Sequence, residues 1–139
     1  MKRLWINLFL AFGTVCSYGT VLHAQSYEMV AKVPFAFHVD KTDFQAGDYK
    51  LEKSMTLPVQ FIENRDGHKC AIPGGTYLES KGKPRLVFHR YGDDYFLSEI
   101  WNTQGTGSKL KVNKREREVS ERTAPEEIAM VAIEVTLAQ

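Results

Sequence analysis

The sequence predicts an all-β, mainly antiparallel fold, either a β-sandwich or a partly open β-barrel of about six to eight strands. Three observations predict it. Short runs alternate apolar and polar residues along most of the chain, which is the period of a half-buried strand. Turn-forming residues such as Asp-Gly and Pro-Gly-Gly separate these runs. No alternating strand and helix pattern is present, which argues against an α/β fold.

The stretch Arg85–Trp101, RLVFHRYGDDYFLSEIW, carries the strongest signal. Two apolar and aromatic runs flank Gly92–Asp94, as in a β-hairpin with a short glycine-containing loop. A three-residue loop would place Tyr91 opposite Tyr95, whereas a two-residue loop would shift this register and change which faces match. Both faces carry large apolar side chains, which predicts that the hairpin lies inside the sheet system rather than at its edge.

The other strands are predicted from the same alternation. They are Tyr27–Val39, Tyr49–Lys53, Val59–Asn64, Lys69–Ile72, Thr76–Leu78 and Ile128–Leu137, and Lys109–Val112 could form a further short strand. Pro34 has no backbone N–H, so the first strand should bend there or run along an edge. Arg65–His68, RDGH, supplies a second hairpin turn. Thr123–Glu126 resembles a capped helix start, but alternation and β-branched residues favour a closing strand after it.

The run Asn113–Arg122, NKREREVSER, has mixed charge. On a helix it would pair opposite charges four residues apart, Lys114 with Glu118 among them. One interpretation is a basic helix that binds nucleic acid or a partner. The glutamates placed among the basic residues favour the other interpretation, a short solvated helix or loop.

Residues 1–24 have the organisation of a secretory signal. Met1–Arg3 is a positive start, Leu4–Phe12 is an apolar run, and Ala24 is a small residue at the expected cut. The alternative is an uncleaved membrane anchor, because Leu4–Ala24 is long enough to span a bilayer. We expect cleavage, which leaves residues 25–139 as a single β-rich domain without a transmembrane segment. That domain would be exported, to the periplasm or outside the cell.

Charge and cysteine content limit the kinds of partner and of stabilising bond that this domain can have. Loss of Lys2 and Arg3 with the signal leaves 16 basic and 17 acidic residues, so no electrostatic argument favours nucleic acid as a partner. Cys70 is then the one cysteine that remains, and it cannot form an internal disulfide. Stability must come from packing, and we expect Cys70 to be a small buried hydrophobe rather than a reactive thiol.

Several motifs carry a resemblance to known proteins. They are VPFAF at Val33–Phe37, AGDY at Ala46–Tyr49, LVFHRYGDDYFLSEIW at Leu86–Trp101 and KVNKRERE at Lys111–Glu118. In these motifs the chain resembles an uncharacterised family of small exported bacterial β-rich proteins that share VPFxF, AGxY and LVFHRYGxxYFLSEIW. The resemblance implies export and a common β fold. It assigns no activity, ligand or catalytic residue.

No catalytic arrangement is evident. A serine nucleophile would need a motif such as G-x-S-x-G, which is absent. A site built from His89, Ser98 and Glu99 fails on the pleat, because adjacent residues of a strand point to opposite faces. His89 with Glu99 is a weak start for a metal site, and Cys70 with His68 lacks a group that would lower the thiol pKa. We therefore expect no enzyme, no metal and no cofactor.

A binding surface is the remaining candidate. His89, Arg90, Tyr91, Tyr95 and Trp101 combine flat apolar area with polar tips, as side chains at recognition sites do. The simpler interpretation makes them the core and rim of a small β domain. We expect a non-enzymatic interaction or envelope-associated structural module with a protein partner. The alternative is a carrier that holds a small apolar or aromatic ligand on the 85–101 hairpin face.

Overall fold

The computed structural model describes residues 28–54 and 59–138, so the predicted signal, residues 1–24, lies outside the described residues. Within them the chain forms eleven strands and one α-helix. The strands are β1 Glu28–Val33, β2 Phe37–Val39, β3 Thr42–Phe44, β4 Gly47–Lys53, β5 Val59–Asn64, β6 Lys69–Pro73, β7 Thr76–Glu79, β8 Arg85–Tyr91, β9 Asp94–Trp101, β10 Thr106–Lys109 and β11 Ile128–Leu137. Helix α1 spans Lys114–Arg122, and a 3₁₀ turn, Pro125–Glu127, leads into β11.

The strands form a nearly closed, barrel-like sheet in the order β3-β2-β9-β8-β11-β1-β4-β5-β6. A ribbon of β7 and β10 is attached to β9. The sheet comes close to closing where Cys70 Sγ on β6 lies 3.8 Å from Thr42 Oγ1 on β3. Pairing is antiparallel except for one parallel contact between β2 and β9. The predicted all-β class and partly open barrel are therefore confirmed, and so is the expected short charged helix.

The strand count is higher than predicted, because short strands lie in segments with loop-like composition. The connection after Val39 turns at Asp40 and contains β3. The strand expected at Lys109–Val112 is wrong: its place is taken by β10, four residues rich in Gly, Thr and Ser that pair with both β7 and β9. Such short strands are held by their neighbours, so their own sequence gives little sign of them.

Large side chains fill the barrel interior. The Phe37 ring packs against Phe44, Tyr49 and Phe88 with centroid separations of 5.1, 5.1 and 5.2 Å. The remaining buried members of this cluster come from strands all around the barrel: Met29, Ala31, Val33, Val39, Leu51, Ile62, Ile72, Leu86, Leu97, Ile100 and Val135. Because this cluster fills the middle of the barrel, a binding surface can lie only on the outside of the barrel or at its ends.

The predicted bend at Pro34 is confirmed, since β1 ends at Val33 and β2 begins at Phe37. Phe35, inside the bend, stacks on Tyr95 with ring centroids 3.9 Å apart. The bend therefore carries the chain across the loop end of the main hairpin. Before this bend, β1 has already separated from β11, after Ala31.

The main hairpin has a two-residue loop, Gly92–Asp93, with Tyr91 opposite Asp94. Of the two loop lengths that the sequence left open, the shorter is formed, and it suits Gly92, whose φ of 60° matches the first position of a type II′ turn. The register also shifts within the hairpin: Val87 pairs with Glu99 but Phe88 pairs with Leu97, so Ser98 is an extra, bulged residue. Both faces of the hairpin are buried, as the sequence predicts.

The remaining predicted elements are present. At the Asp-Gly turn between β5 and β6, Asn64 Oδ1 accepts hydrogen bonds from the backbone N–H groups of Asp66 and His68 at 3.0 and 2.8 Å. The segment from Ile128 is a strand, as its alternation indicates. Among the residues described, no helix is long and apolar enough to cross a membrane.

Candidate functional site

The five residues predicted to form a binding face do not share one environment. Arg90 and Tyr95 lie at the loop end of the hairpin, where the Arg90 guanidinium is 5.8 Å from the Tyr95 ring centroid. Tyr95 is covered on its other side by Phe35. His89 and Tyr91 lie on the outer face of the sheet, close to α1. These aromatic side chains pack against their own neighbours and do not form one continuous surface.

Trp101 lies apart from the other four. It is only 6% exposed, and its Nε1–H donates a 2.8 Å hydrogen bond to Glu99 Oε2. The Arg85 guanidinium lies 4.6 Å from the Trp101 ring centroid, and a Cβ on Gly107 would come within 2.7 Å of the indole. These contacts fill the surroundings of the ring, so Trp101 fastens β10 to β9.

A cluster of four polar side chains links the hairpin to α1. His89 Nδ1 lies 2.7 Å from Glu116 Oε1, and His89 Nε2 lies 3.0 Å from Ser98 Oγ. Tyr91 donates its hydroxyl hydrogen to Glu116 Oε1 at 3.2 Å. A carboxylate only accepts, so Nδ1–H donates to Glu116, and in the neutral imidazole Nε2 then accepts from the Ser98 hydroxyl. We call Ser98, His89, Tyr91 and Glu116 the His89 cluster.

The His89 cluster is not predictable from the sequence for two reasons. The bulge turns Ser98 toward His89, so the strict alternation assumed for β9 does not hold there. The carboxylate comes from Glu116 on α1, while Glu99 is engaged by Trp101. The arrangement of His89, Ser98 and Glu99 considered from the sequence is therefore not formed.

The hydrogen-bond order of the His89 cluster is that of a serine–histidine–carboxylate relay. Catalysis would require a substrate carbonyl to reach Ser98 Oγ, but Ser98 and Glu116 are each only 4% exposed. A buried polar group is costly unless its hydrogen bonds are made, and α1 supplies the carboxylate that completes these. The geometry thus supports a fastening of α1 to the sheet. Burial, and then the Glu116 carboxylate, raises the pKa of Tyr91 to about 12.

Two further polar contacts hold the start of α1. Asn113 caps the helix, because its Oδ1 accepts from Glu116 N at 2.8 Å, while its Nδ2 donates to Asp40 O at 2.8 Å. Arg115 Nη1 donates to Asp43 Oδ1 at 2.7 Å. The pKa of Asp43 is lowered by its hydrogen bond from His38 and then by Arg115. The helix therefore reaches from β3 to β8, across β2 and β9.

The hydrogen-bond pattern of β11 shows which of its backbone groups face β8. Gly92 N donates to Glu127 O at 3.0 Å, just before the strand. Val135 N donates to Pro84 O at 3.1 Å, near its other end. Both bonds follow the register that pairs β11 with β8. Since bonded positions alternate in an antiparallel pair, the odd-numbered residues between 127 and 135 turn their N–H and C=O groups toward β8.

The even-numbered residues Ile128, Met130 and Ala132 turn their backbone groups to the other side. In the described part of the chain no strand pairs with them there, because the β1 pairing runs only from Met29 to Ala31, opposite residues 135–137. Ile128 is 44% exposed and Met130 is 65% exposed. We call residues 128–132, on this side of β11, the open edge.

An acidic cleft adjoins the start of the open edge. Its volume is about 540 Å³, and it is lined by the hairpin loop, the end of α1 and the residues that precede β11. The charged groups around it are Arg90, Asp93, Asp94, Arg122, Glu126 and Glu127. Four carboxylates against two guanidinium groups make the cleft net acidic. At the far end of the open edge, Glu134 is 3.1 Å from Lys83.

Other candidate sites are weaker. Within residues 28–54 and 59–138, no three or more His, Cys, Asp or Glu side chains come together as a metal site requires. Cys70 is half-buried and packs against the core, with Thr42 as its side-chain neighbour. His68 lies exposed in the turn. A groove of about 490 Å³ at the far end of the barrel has Leu51 and Ile100 at its base, but these are only 1% and 2% exposed.

Comparison of this chain with protein-family models, with curated proteins and with solved structures found no match. The function has to be argued from the residues of this chain.

Proposed function

We propose that this protein is an exported, non-enzymatic interaction module that binds an extended segment of a partner protein along the open edge of β11. In this mode a peptide adds one strand to a sheet, with affinity from backbone hydrogen bonds and specificity from alternate side chains. The observation that carries the proposal is that, in the described part of the chain, no strand pairs with the edge-facing backbone groups of Met130 and Ala132 or with the Ile128 carbonyl, whose own N–H donates to Pro125 O. Exposed apolar side chains lie beside them.

The chemistry of the edge indicates the kind of partner. Residues 128–133, IAMVAI, are uncharged, whereas Glu126 and Glu127 precede them and Glu134 follows. With Asp93 and Asp94 in the adjoining cleft, the start of the edge is acidic, whereas Glu134 at its far end is paired with Lys83. A segment with apolar residues at alternate positions and Lys or Arg at the end that meets the cleft would complement this surface.

A second copy of the chain fits less well. Antiparallel pairing of two open edges about Met130 would bring Glu134 of one copy near Glu126 of the other, since both lie four residues from Met130. Like charges placed opposite each other destabilise a strand pair. Unprotected edges are normally blunted by charges, and the flanking carboxylates would act in this way against self-association. A basic partner would meet attraction at the same positions.

The carrier alternative has less support. It needs a cavity lined by the aromatic residues of the 85–101 hairpin, but Tyr95 stacks on Phe35 and Trp101 is enclosed by Arg85, Glu99 and Gly107. The groove at the far end of the barrel is lined by none of the aromatic residues of this hairpin. Around Tyr95 and Trp101, little apolar surface is left for a small ligand to bury.

A labelled peptide tests the proposal. Residues 25–139 would be titrated with fluorescein-labelled Lys-Thr-Val-Thr-Val-Thr-Lys and followed by fluorescence anisotropy. The control peptide has the same sequence with N-methyl groups on alternate residues, which removes the N–H donors of one peptide edge. Saturable binding of the first peptide and loss of binding for the second are expected. Equal binding of both, or binding of neither, would overturn strand addition.

A further inference from the structure

Helix α1 is attached to the barrel mainly by polar groups. The one buried side chain of its nine residues is Glu116, which belongs to the His89 cluster. Its other anchors, Arg115 to Asp43 and Asn113 to Asp40, lie at exposed positions. Exposed ion pairs contribute little to stability, whereas an apolar helix face would contribute much more. The attachment of α1 therefore depends strongly on one buried carboxylate.

The surface beneath α1 is apolar. Phe96 on β9 is 2% exposed and Val87 on β8 is 6% exposed, yet neither belongs to the cluster that fills the barrel interior. The Phe96 ring lies 4.8 Å from His38 and 5.9 Å from Tyr91, centroid to centroid. The first turn of the helix is anchored on β3 and β8, on either side of β2 and β9, which places it over the outer face of the sheet on which Phe96 lies.

The covered surface is continuous with the open edge. In the sheet register Phe96 lies opposite His89, and His89 lies opposite Met130. Tyr91 lies opposite Ile128 in the same way. A row of outward side chains thus runs from Phe96 across β8 to the exposed residues of β11. Removal of α1 would join buried and exposed apolar groups into one patch beside the strand-addition site.

We propose that α1 is a displaceable cover, held by Glu116, whose release widens the docking surface of the open edge. The inference rests on the proposed function, because it concerns regulation of that same site. A strand added at the open edge is separated from β9 by β11 and β8, about 14 Å at the usual strand spacing. A partner protein whose surface continues from that strand over β11 and β8 would therefore gain contact with Phe96 once α1 had left. Glu116 is a positioning residue in this account, since it acts through His89 and Tyr91.

Hydrogen exchange on residues 25–139, followed by mass spectrometry, tests the cover without any peptide. The comparison is Glu116→Ala with Glu118→Ala, an exposed residue of the same helix. Loss of the buried carboxylate should speed exchange of the amides of residues 114–122 roughly tenfold or more, with little change in β8 and β9. The Glu118 variant should match the wild type. The proposal would be overturned if, in every variant, the amides of α1 exchanged only when those of β8 and β9 exchanged.

A second variant and a second measurement complete the exchange experiment. If Glu116→Ala fails to fold, Asn113→Ala loosens the helix by removing its cap and its bond to Asp40, without orphaning the part-buried histidine. The dye 1-anilinonaphthalene-8-sulfonate, which binds exposed apolar surface, then tests whether the surface under α1 is uncovered: its fluorescence should be about threefold or more higher with the loosened variant than with the Glu118 control. Faster exchange with unchanged dye fluorescence would overturn the widening of the docking surface. Binding of the peptide to no variant would overturn strand addition itself, while exchange would still decide whether α1 is a cover.

Discussion

His89 on β8 and Glu116 on α1 are joined through a 2.7 Å contact between Nδ1 and Oε1, although 27 positions separate them in the chain. This pair fixes the histidine tautomer and orients Ser98 and Tyr91 around it. It is the main buried link between the only helix in the described residues and the sheet.

Replacing the histidine should cost stability. In His89→Ala, Glu116 and Ser98 lose a buried hydrogen-bond partner, so the free energy of unfolding should fall by about 1–3 kcal/mol. His68→Ala is the matched control, because that histidine lies exposed in a turn and its loss should change stability by less than about 0.5 kcal/mol. Urea denaturation measures both. Equal effects for the two histidines would show that the His89 cluster does not fasten the helix.

Alkaline pH should weaken the fold through Tyr91. Its folded pKa of about 12 exceeds the unfolded value near 10, so the folded state favours the protonated phenol. The stabilisation is complete below about pH 10 and is lost as the pH rises toward 12, by about 1–2 kcal/mol for a partly solvated group. Tyr91→Phe should lose this part of the dependence, while the contribution of Tyr49, whose pKa burial also raises, remains. Urea midpoints at pH 9 and 11.5 check it, and identical slopes in both proteins would contradict it.

Ser98 should not behave as a nucleophile. The hydroxyl lies in a strand and is covered, so a fluorophosphonate probe should leave the folded protein unlabelled at neutral pH. Intact-mass spectrometry is the readout, with a known serine hydrolase in a parallel reaction as the positive control. Labelling that disappears in Ser98→Ala would contradict the non-enzymatic account and assign the His89 cluster a catalytic role.

Trp101 should matter for stability. It is almost fully buried between Arg85 and Gly107, so Trp101→Ala should lower the free energy of unfolding by about 3–5 kcal/mol. Tyr77→Ala is the control, since that ring is 62% exposed and its removal should change stability by under about 0.5 kcal/mol. Native mass spectrometry of the unmodified chain separates this account from the carrier: a reproducible small-molecule mass that Trp101→Ala abolishes would favour the carrier.

Local chemistry made much of the barrel predictable. The alternation of apolar and polar residues predicted the long strands. Gly67 and Pro34 indicated a turn and a bend, because glycine allows a positive φ and proline has no backbone N–H. The hairpin register was harder, because a loop shorter by one residue shifts the pairing by one position, here between the loop and the bulge. The bulge at Ser98 then broke the alternation on which the sequence argument relied. Both depend on how β8 and β9 fit their neighbours.

The candidate site was less accessible to sequence reasoning. Glu116 sits in a charged run that looks solvated, and only tertiary contact shows that it is buried beside His89. The open edge depends on where β1 leaves β11, after Ala31, and Pro34 hints only at the bend that follows. The exposure of Met130 could not be predicted, because alternation identifies the two faces of a strand but not which of them is covered. Alternation also does not show which edge of a strand is paired.

Strand addition at the open edge is tested most directly by two matched proline variants. Ala132→Pro removes an N–H that points to the open edge, whereas Ala129→Pro removes one that is bonded to β8. The account predicts that Ala132→Pro remains folded by circular dichroism and loses binding of the Lys-flanked peptide, and that Ala129→Pro is strongly destabilised. Full peptide binding by a folded Ala132→Pro protein would contradict the account.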